Sequence, residues 1–189
     1  MIKKMMLLAG MALAVVAVAA PAAQANWTHS GEELESNATV GLSGSMNIEV
    51  PGVAGAHSEV HIGLTLKSGS TGTVTSYSDT KCTGTAQLNG LRCTVTAENL
   101  PWLAHIDPFV GKIRVTNIKL THHYYSILDP GHVTSLTTTV TTGNVLLDPD
   151  SRTGFSVFDF EGEGTLINGN PAVIGGSVGV SPAGTYGIE

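Results

Sequence analysis

From Thr39 onward the chain alternates. Val40, Leu42, Met46, Ile48 and Val50 fall on one phase, while Thr39, Gly41, Ser43, Ser45, Asn47 and Glu49 fall on the other. A period of two sustained over this length predicts a strand with one dry face and one wet face. Pro51-Gly52 ends it. The next stretch repeats the pattern, with Val60, Ile62, Leu64 and Leu66 inward and His57, Glu59, His61, Thr65 and Lys67 outward. Ser68 to Gly72 reads as a turn into a strand around Thr73 to Tyr77, which makes a meander.

The segment holding Cys82 and Cys93 carries two conflicting signals. Asn89-Gly90 between Leu88 and Leu91 is a strong hairpin signal. A two-residue turn there would set Ala86 opposite Cys93 and leave Cys82 roughly 13 Å further along the strand. A disulfide needs Cα atoms within about 7 Å. Either Asn89-Gly90 lies in a wider loop, or a bulge or fold-back between Cys82 and Ala86 brings the sulfurs together. The bridge is the stronger expectation, so the simple hairpin is set aside.

Leu91, Cys93, Val95 and Ala97 alternate again, after which Leu100 to Phe109 has two prolines and no clean period and reads as an irregular connection. Ile113 and Val115 open another strand. The apolar phase then slips to Ile118 and Leu120, which places a β-bulge near Thr116-Asn117. Asp129-Pro130-Gly131 signals a turn, followed by a Thr-rich strand from Val133 to Thr142, with Leu136 and Val140 inward and Thr137, Thr139 and Thr141 outward. After Asp148-Pro149-Asp150, Phe158, Phe160 and Leu166 share one side of a strand and Asp159, Glu161 and Glu163 the other. Val173 to Val180 makes a last strand. No helical period follows the first segment. The fold class is therefore all-β, a single-domain antiparallel β-sandwich or closed β-barrel of about 8–10 short strands. Periodicity does not choose between these two.

Composition changes this picture at the N-terminus. Met1 to Lys4 carry two positive charges, Met5 to Ala20 form an uncharged apolar run, and Ala23-Gln24-Ala25 offers small residues at a cleavage position. Residues 1–25 thus read as a secretory signal peptide, with Asn26 as the new N-terminus. The apolar run is short of the roughly 20 residues that a membrane-spanning helix needs. No second long apolar run exists, so no membrane span is expected after cleavage. Residues 26–189 read as one β domain, in which the polar stretch 26–36 is a loose arm. The destination is the exterior or the cell envelope. There an isolated pair of cysteines is expected to oxidise to a Cys82–Cys93 disulfide that stabilises the fold by about 3 kcal/mol. The net charge of −6 becomes more negative once Lys3 and Lys4 leave with the leader. A nucleic-acid partner is therefore disfavoured.

Candidate chemistry is sparse. His57, Glu59 and His61 share one strand face at a spacing of about 7 Å, which suits two ligands to Zn²⁺ or Cu²⁺ but not three. The ordinary alternative is a solvated face. His122 and Tyr124 continue the core face of Ile118 and Leu120 and are candidates for the mouth of a ligand pocket, or for a core rim. Asp159, Glu161 and Glu163 form an acidic row that Lys112, Arg114 or Lys119 would neutralise across strands. Asp148 to Arg152 lacks the third oxygen ligand of a calcium loop and reads as a turn. No catalytic residue and no cofactor is assigned.

Four short stretches resemble an uncharacterised family of exported actinobacterial β-rich proteins of unknown function. They are Asn26-Trp27-Thr28-His29, Leu100 to Ile106, Asp148 to Ser151 and Ser181 to Ile188. The resemblance implies an exported bacterial β domain and carries no activity, cofactor or partner with it. The functional expectation is a secreted or envelope-associated, non-enzymatic β module with a binding or structural role, its partner a small apolar ligand or an envelope component. The alternatives are a small β-barrel carrier for an apolar ligand and an extracellular hydrolase.

Overall fold

A computed structural model describes residues 25–51, 54–86, 88–126, 136–141, 144–163 and 166–189. The leader, the Asp129-Pro130-Gly131 turn and the start of the Thr-rich strand lie outside the described residues, as do the side chains of Leu136 to Thr141 and of Glu163. The described residues contain no helix. Their strands are β1 (Trp27–His29), β2 (Glu32–Glu33), β3 (Ala38–Val50), β4 (Ala54–Leu66), β5 (Thr71–Ala86), β6 (Leu91–Glu98), β7 (Trp102–Asp107), β8 (Lys112–Thr116), β9 (Lys119–Ser126), β10 (Leu136–Thr141), β11 (Asn144–Pro149), β12 (Val157–Glu163), β13 (Leu166–Ile167), β14 (Asn170–Pro171), β15 (Val173–Ser181) and β16 (Tyr186–Ile188).

Eight of these strands close into an antiparallel barrel. The order around it is β3, β4, β5, β7, β8, β11, β12 and β15, and β15 returns to β3 through nine residue pairs from Val173↔Glu49 to Ser181↔Gly41. Chain order and spatial order agree, so this is an up-and-down barrel. Closure satisfies the backbone groups that an open sheet leaves at its edges. The inward phase of each strand fills the interior: Val40, Leu42 and Ile48 of β3, Val60 and Leu64 of β4, Ile113 of β8, Leu147 of β11 and Phe158 of β12 are buried. Gly176 lets β15 bend close to β3. Its φ is +126°, and a Cβ there would sit 2.3 Å from the Ser45 carbonyl oxygen.

Apart from β1, β2 and β16, the strands outside the barrel are excursions from one of its ends. Partners around that end run Leu103↔Thr116, Thr116↔Asn144, Asn144↔Glu163, Val173↔Glu49 and Val50↔Ala54. The chain leaves there after β5, β8 and β12. The excursions pair with one another in the order β6, β9, β10, β13 and β14, forming a flap attached to β5. β5 has 16 residues and serves both assemblies: Thr71 to Val74 pair with β7, whereas Thr83 pairs with Arg92 of β6.

Register explains the cysteines. Thr83↔Arg92 places Cys82 beside Cys93, with Cα atoms 4.9 Å apart and the disulfide formed. Asn89-Gly90 lies in a wider loop between Ala86 and Leu91, with Gly90 at φ +89°. The other contributor is upstream, not between Cys82 and Ala86. Lys81 adopts φ +54° beside a register shift against β4, which turns Cys82 inward.

Three expectations are corrected. Leu100 to Phe109 is not irregular throughout, because Trp102, Ala104 and Ile106 alternate inward as β7 while Leu103 is exposed. The flanking prolines hid a strand only six residues long. The phase slip at Thr116-Asn117 is not a bulge within one strand. Asn117, at φ +62°, turns the chain out of the barrel wall and into the flap, so β8 and β9 belong to different assemblies. Residues 26–36 are not a loose arm. Trp27 is fully buried at the end of the barrel opposite the flap, donates its ring N–H to the Thr71 carbonyl at 2.7 Å and meets Phe155 edge to face at 6.4 Å. β1 pairs with β16, and Asn26 and Glu189 exchange backbone hydrogen bonds, so both ends of the described chain plug the barrel together.

Trp27→Ala is expected to cost about 3–5 kcal/mol of stability. Equilibrium urea unfolding checks this, and a loose arm would give no change. Reduction of Cys82–Cys93 is expected to lower the same stability by about 3 kcal/mol.

Candidate functional site

The fork in β5 leaves a seam between barrel and flap. A small cavity of about 30 Å³ lies there, with a wholly apolar exposed lining. The barrel contributes Met46, Val74, Tyr77, Trp102 and Phe160 among others, and Ile118 and Leu120 line it from the segment that enters the flap. Trp102 is anchored by its ring N–H, which donates to the Glu98 carbonyl at 2.8 Å, and its ring lies 5.8 Å from that of Tyr77.

Tyr77 and Asp79 are the polar residues of β5 at this place. They pair with Ile62 and Val60, both inward-facing on β4, so both side chains take the inward phase. The Val95 backbone of β6 and the hydroxyl of Ser58, a buried residue at the register shift between β4 and β5, lie close to the Asp79 carboxyl. One carboxyl oxygen of Asp79, Oδ2, is buried and has no hydrogen-bond partner among the described residues. The same holds for the Tyr77 hydroxyl. Burial raises the Asp79 carboxyl above its ordinary range, opposed in part by the nearby Val95 backbone and Ser58 hydroxyl. Burial also raises the Tyr77 phenol, and the nearby Asp79 charge adds to the effect. An unmet buried polar group typically costs about 1–3 kcal/mol.

The residues singled out from sequence are distributed differently. His122 and Tyr124 are buried on the inner face of β9, with near-parallel rings 6.1 Å apart. Tyr124 packs with Ala56, Leu88 and the disulfide in a second, smaller core. Neither residue lines the cavity. They form the inside of the flap, not a pocket mouth, because β9 left the barrel wall at Asn117. The His122 Nδ1 is buried without a partner among the described residues. Burial, assisted by the charge of His123, lowers its pKa to about 4.

His57, Glu59 and His61 do share the outer face of β4, but each binds a neighbour and not a common centre. His57 Nδ1 meets Asn47 Oδ1 at 2.5 Å, His61 Nδ1 meets Ser43 Oγ at 2.9 Å, and Lys81 donates to Glu59 at 2.8 Å. Among the described residues no group of three potential ligands is assembled. In the acidic row, Lys112 bridges Glu161 at 2.6 Å and Asp148 at 3.0 Å. Arg114 instead pairs with Asp107, and Lys119 with Glu98. Asp150 receives the backbone N–H groups of Ser156 and Val157, which makes Asp148 to Arg152 the start of a braced turn.

Tyr77 and Asp79 escaped the sequence pattern. β5 has register shifts against β4 between Gly63 and Leu64 and again between His57 and Glu59, so its inward phase changes twice. Val74 points inward on one phase and Tyr77 on the other. A charged residue two positions after an inward tyrosine was the available signal, but no unbroken period exposed it.

Fold and seam define a closed eight-stranded up-and-down barrel with a flap over one end. No known protein family, curated protein or solved structure matches the chain.

The His122 pKa makes stability depend on pH. In the unfolded chain an imidazole titrates near 6.5, and in the fold at about 4. The unfolded state therefore binds the proton first as pH falls. Stability is fully present above about pH 6.5 and declines toward pH 4, by about 3 kcal/mol in the limit. Urea unfolding at a series of pH values checks this. His122→Phe should flatten the curve in that window.

Proposed function

We propose that this protein is an exported, non-enzymatic binding module of the exterior or the cell envelope, and that its recognition site is the seam between barrel and flap. The observation that carries the reading is the apolar cavity under the flap, walled by Tyr77 and Trp102 from the barrel and by Ile118 and Leu120 from the segment that enters the flap. A small-molecule site is usually lined predominantly by apolar and aromatic side chains. Export is supported by the leader-like segment at residues 1–25, and the disulfide is compatible with it.

The size of the site limits the ligand. A cavity of about 30 Å³ has room for a group about the size of a methyl or a water. Carriage of a long apolar chain would require the flap to lift away from Ile118 and Leu120. A compact ligand is therefore favoured over the bulk carrier. A hydrolase built on the histidine-bearing face of β4 gains no support from its geometry, since His57 and His61 bond to Asn47 and Ser43.

Titration with methane under pressure, followed by methyl NMR, tests the reading. Saturable shifts are expected at Val74, Val115 and Leu147, with none at Val40 or Leu66. Val74→Ile adds one methylene to the cavity wall and should weaken that response about tenfold. Uniform, non-saturating shifts would reject the seam as a site.

A further inference from the structure

Removal of the leader changes the chemistry of the plug, because the bond to be cut is the one by which the chain enters it. Resting on the reading of residues 1–25 as an export leader, we propose that the amine freed at Asn26 is a working part of the mature fold. As an ammonium held by the Glu189 main-chain oxygen beside the Glu33 carboxylate, it fastens β1, and Trp27 with it, into the end of the barrel.

The fold places this nitrogen firmly. The Asn26 N–H donates to the Glu189 main-chain oxygen at 2.8 Å, and the Glu189 N–H donates back to the Asn26 carbonyl at 3.0 Å, one step before the β1–β16 ladder begins at Trp27↔Ile188. The Asn26 side chain donates from Nδ2 to Glu33 Oε1 at 3.0 Å, which holds a carboxylate beside the same residue. Because β1 is only three residues long, a contact at Asn26 bears directly on the seating of Trp27.

Hydrolysis of the Ala25–Asn26 bond adds one water. Its hydroxyl completes the Ala25 carboxyl group, which departs with the leader, and its proton goes to the Asn26 nitrogen. The resulting amine is protonated at neutral pH, so a neutral amide with one N–H becomes an ammonium with three. One donor keeps the bond to Glu189, and the new charge faces its surroundings. Among the described residues, the charged groups around this depression are Glu33, Glu189 and Arg152. Glu189 carries a side-chain carboxylate, and a terminal one as well in any chain that stops there. Arg152 opposes the carboxylates, but its guanidinium lies against Gly111 and donates to the Val110 carbonyl at 3.3 Å, on the turn between β7 and β8. Negative charge therefore prevails at the amine.

Two chains running from Asn26 to Glu189 test this, one with a free amine and one Nα-acetylated. All sixteen strands lie within these residues. Acetylation keeps the N–H that Glu189 accepts, so it removes the charge alone. At low salt and about pH 6, urea unfolding should give the free-amine chain an unfolding equilibrium constant about threefold smaller. Sodium chloride at about 1 M should erase the difference. An ordinary α-amine titrates at about 8, and nearby carboxylates favour its charged form. The advantage is therefore complete below about pH 8 and is lost as pH rises through the folded-state midpoint above it. Glu33→Gln keeps an oxygen for Asn26 Nδ2 and should reduce the advantage. Equal stability of the two chains at low salt would overturn the proposal and leave the export reading intact. So would a difference that salt, high pH and Glu33→Gln all leave unchanged, since the acetyl group would then act by its bulk. The export reading has its own check: the product released by cells that make the full chain should begin at Asn26 on N-terminal sequencing. A product that keeps the leader, or begins elsewhere, would remove both.

Discussion

The architecture turns on the way β5 divides one of its edges. A strand can pair on two sides only. One edge of β5 is held by β4, across two register shifts. The other edge meets β7 over Thr71 to Val74, which closes the barrel, and later meets β6 at Thr83, which starts the flap. Between these two stretches the ladder has no strand partner. The Asp79 carboxyl lies in that gap, close to the Val95 backbone of β6. Closure, flap and seam are consequences of that division.

The same division explains why polar groups lie next to the core. Backbone donors at a fork need acceptors, and a side-chain carboxylate can reach where a strand cannot. The cost is a raised carboxyl and two buried oxygens with no partner among the described residues. The opposite end of the barrel has the contrary character. There Trp27, Phe155 and Ile188 seal the interior with apolar surface, and paired termini hold them in place. The molecule is consequently asymmetric, with a dry, cross-braced plug at one end and a partly polar seam at the other.

Much of the wall was legible from alternation. Val40 to Ile48 and Val60 to Leu66 occupy the inward phase that a period of two assigns them, and the Cys82–Cys93 bridge overrode the hairpin signal at Asn89-Gly90 as the distance argument required. What was missed lies where the backbone breaks period. Positive φ at Lys81 and Asn117 and the register shifts of β4 against β5 each reverse a face. A one-residue change of phase turns every following side chain over. Thus β7 was read as a loop, the passage from β8 to β9 as a bulge, and Tyr77 with Asp79 as nothing in particular.

By itself, then, the sequence determined that this chain is all-β, which residues are dry along its regular strands, and that its two cysteines belong together. Those properties are local: they depend on side-chain period and on chain distance over a dozen residues. Only the tertiary structure decided that the sheet closes as a barrel, that Trp27 is a plug, that His122 and Tyr124 lie inside a flap, and that Tyr77 lines a cavity. Each of these depends on which strand edges meet. Edge pairing joins residues as distant as Asn26 and Glu189, and no local period encodes it.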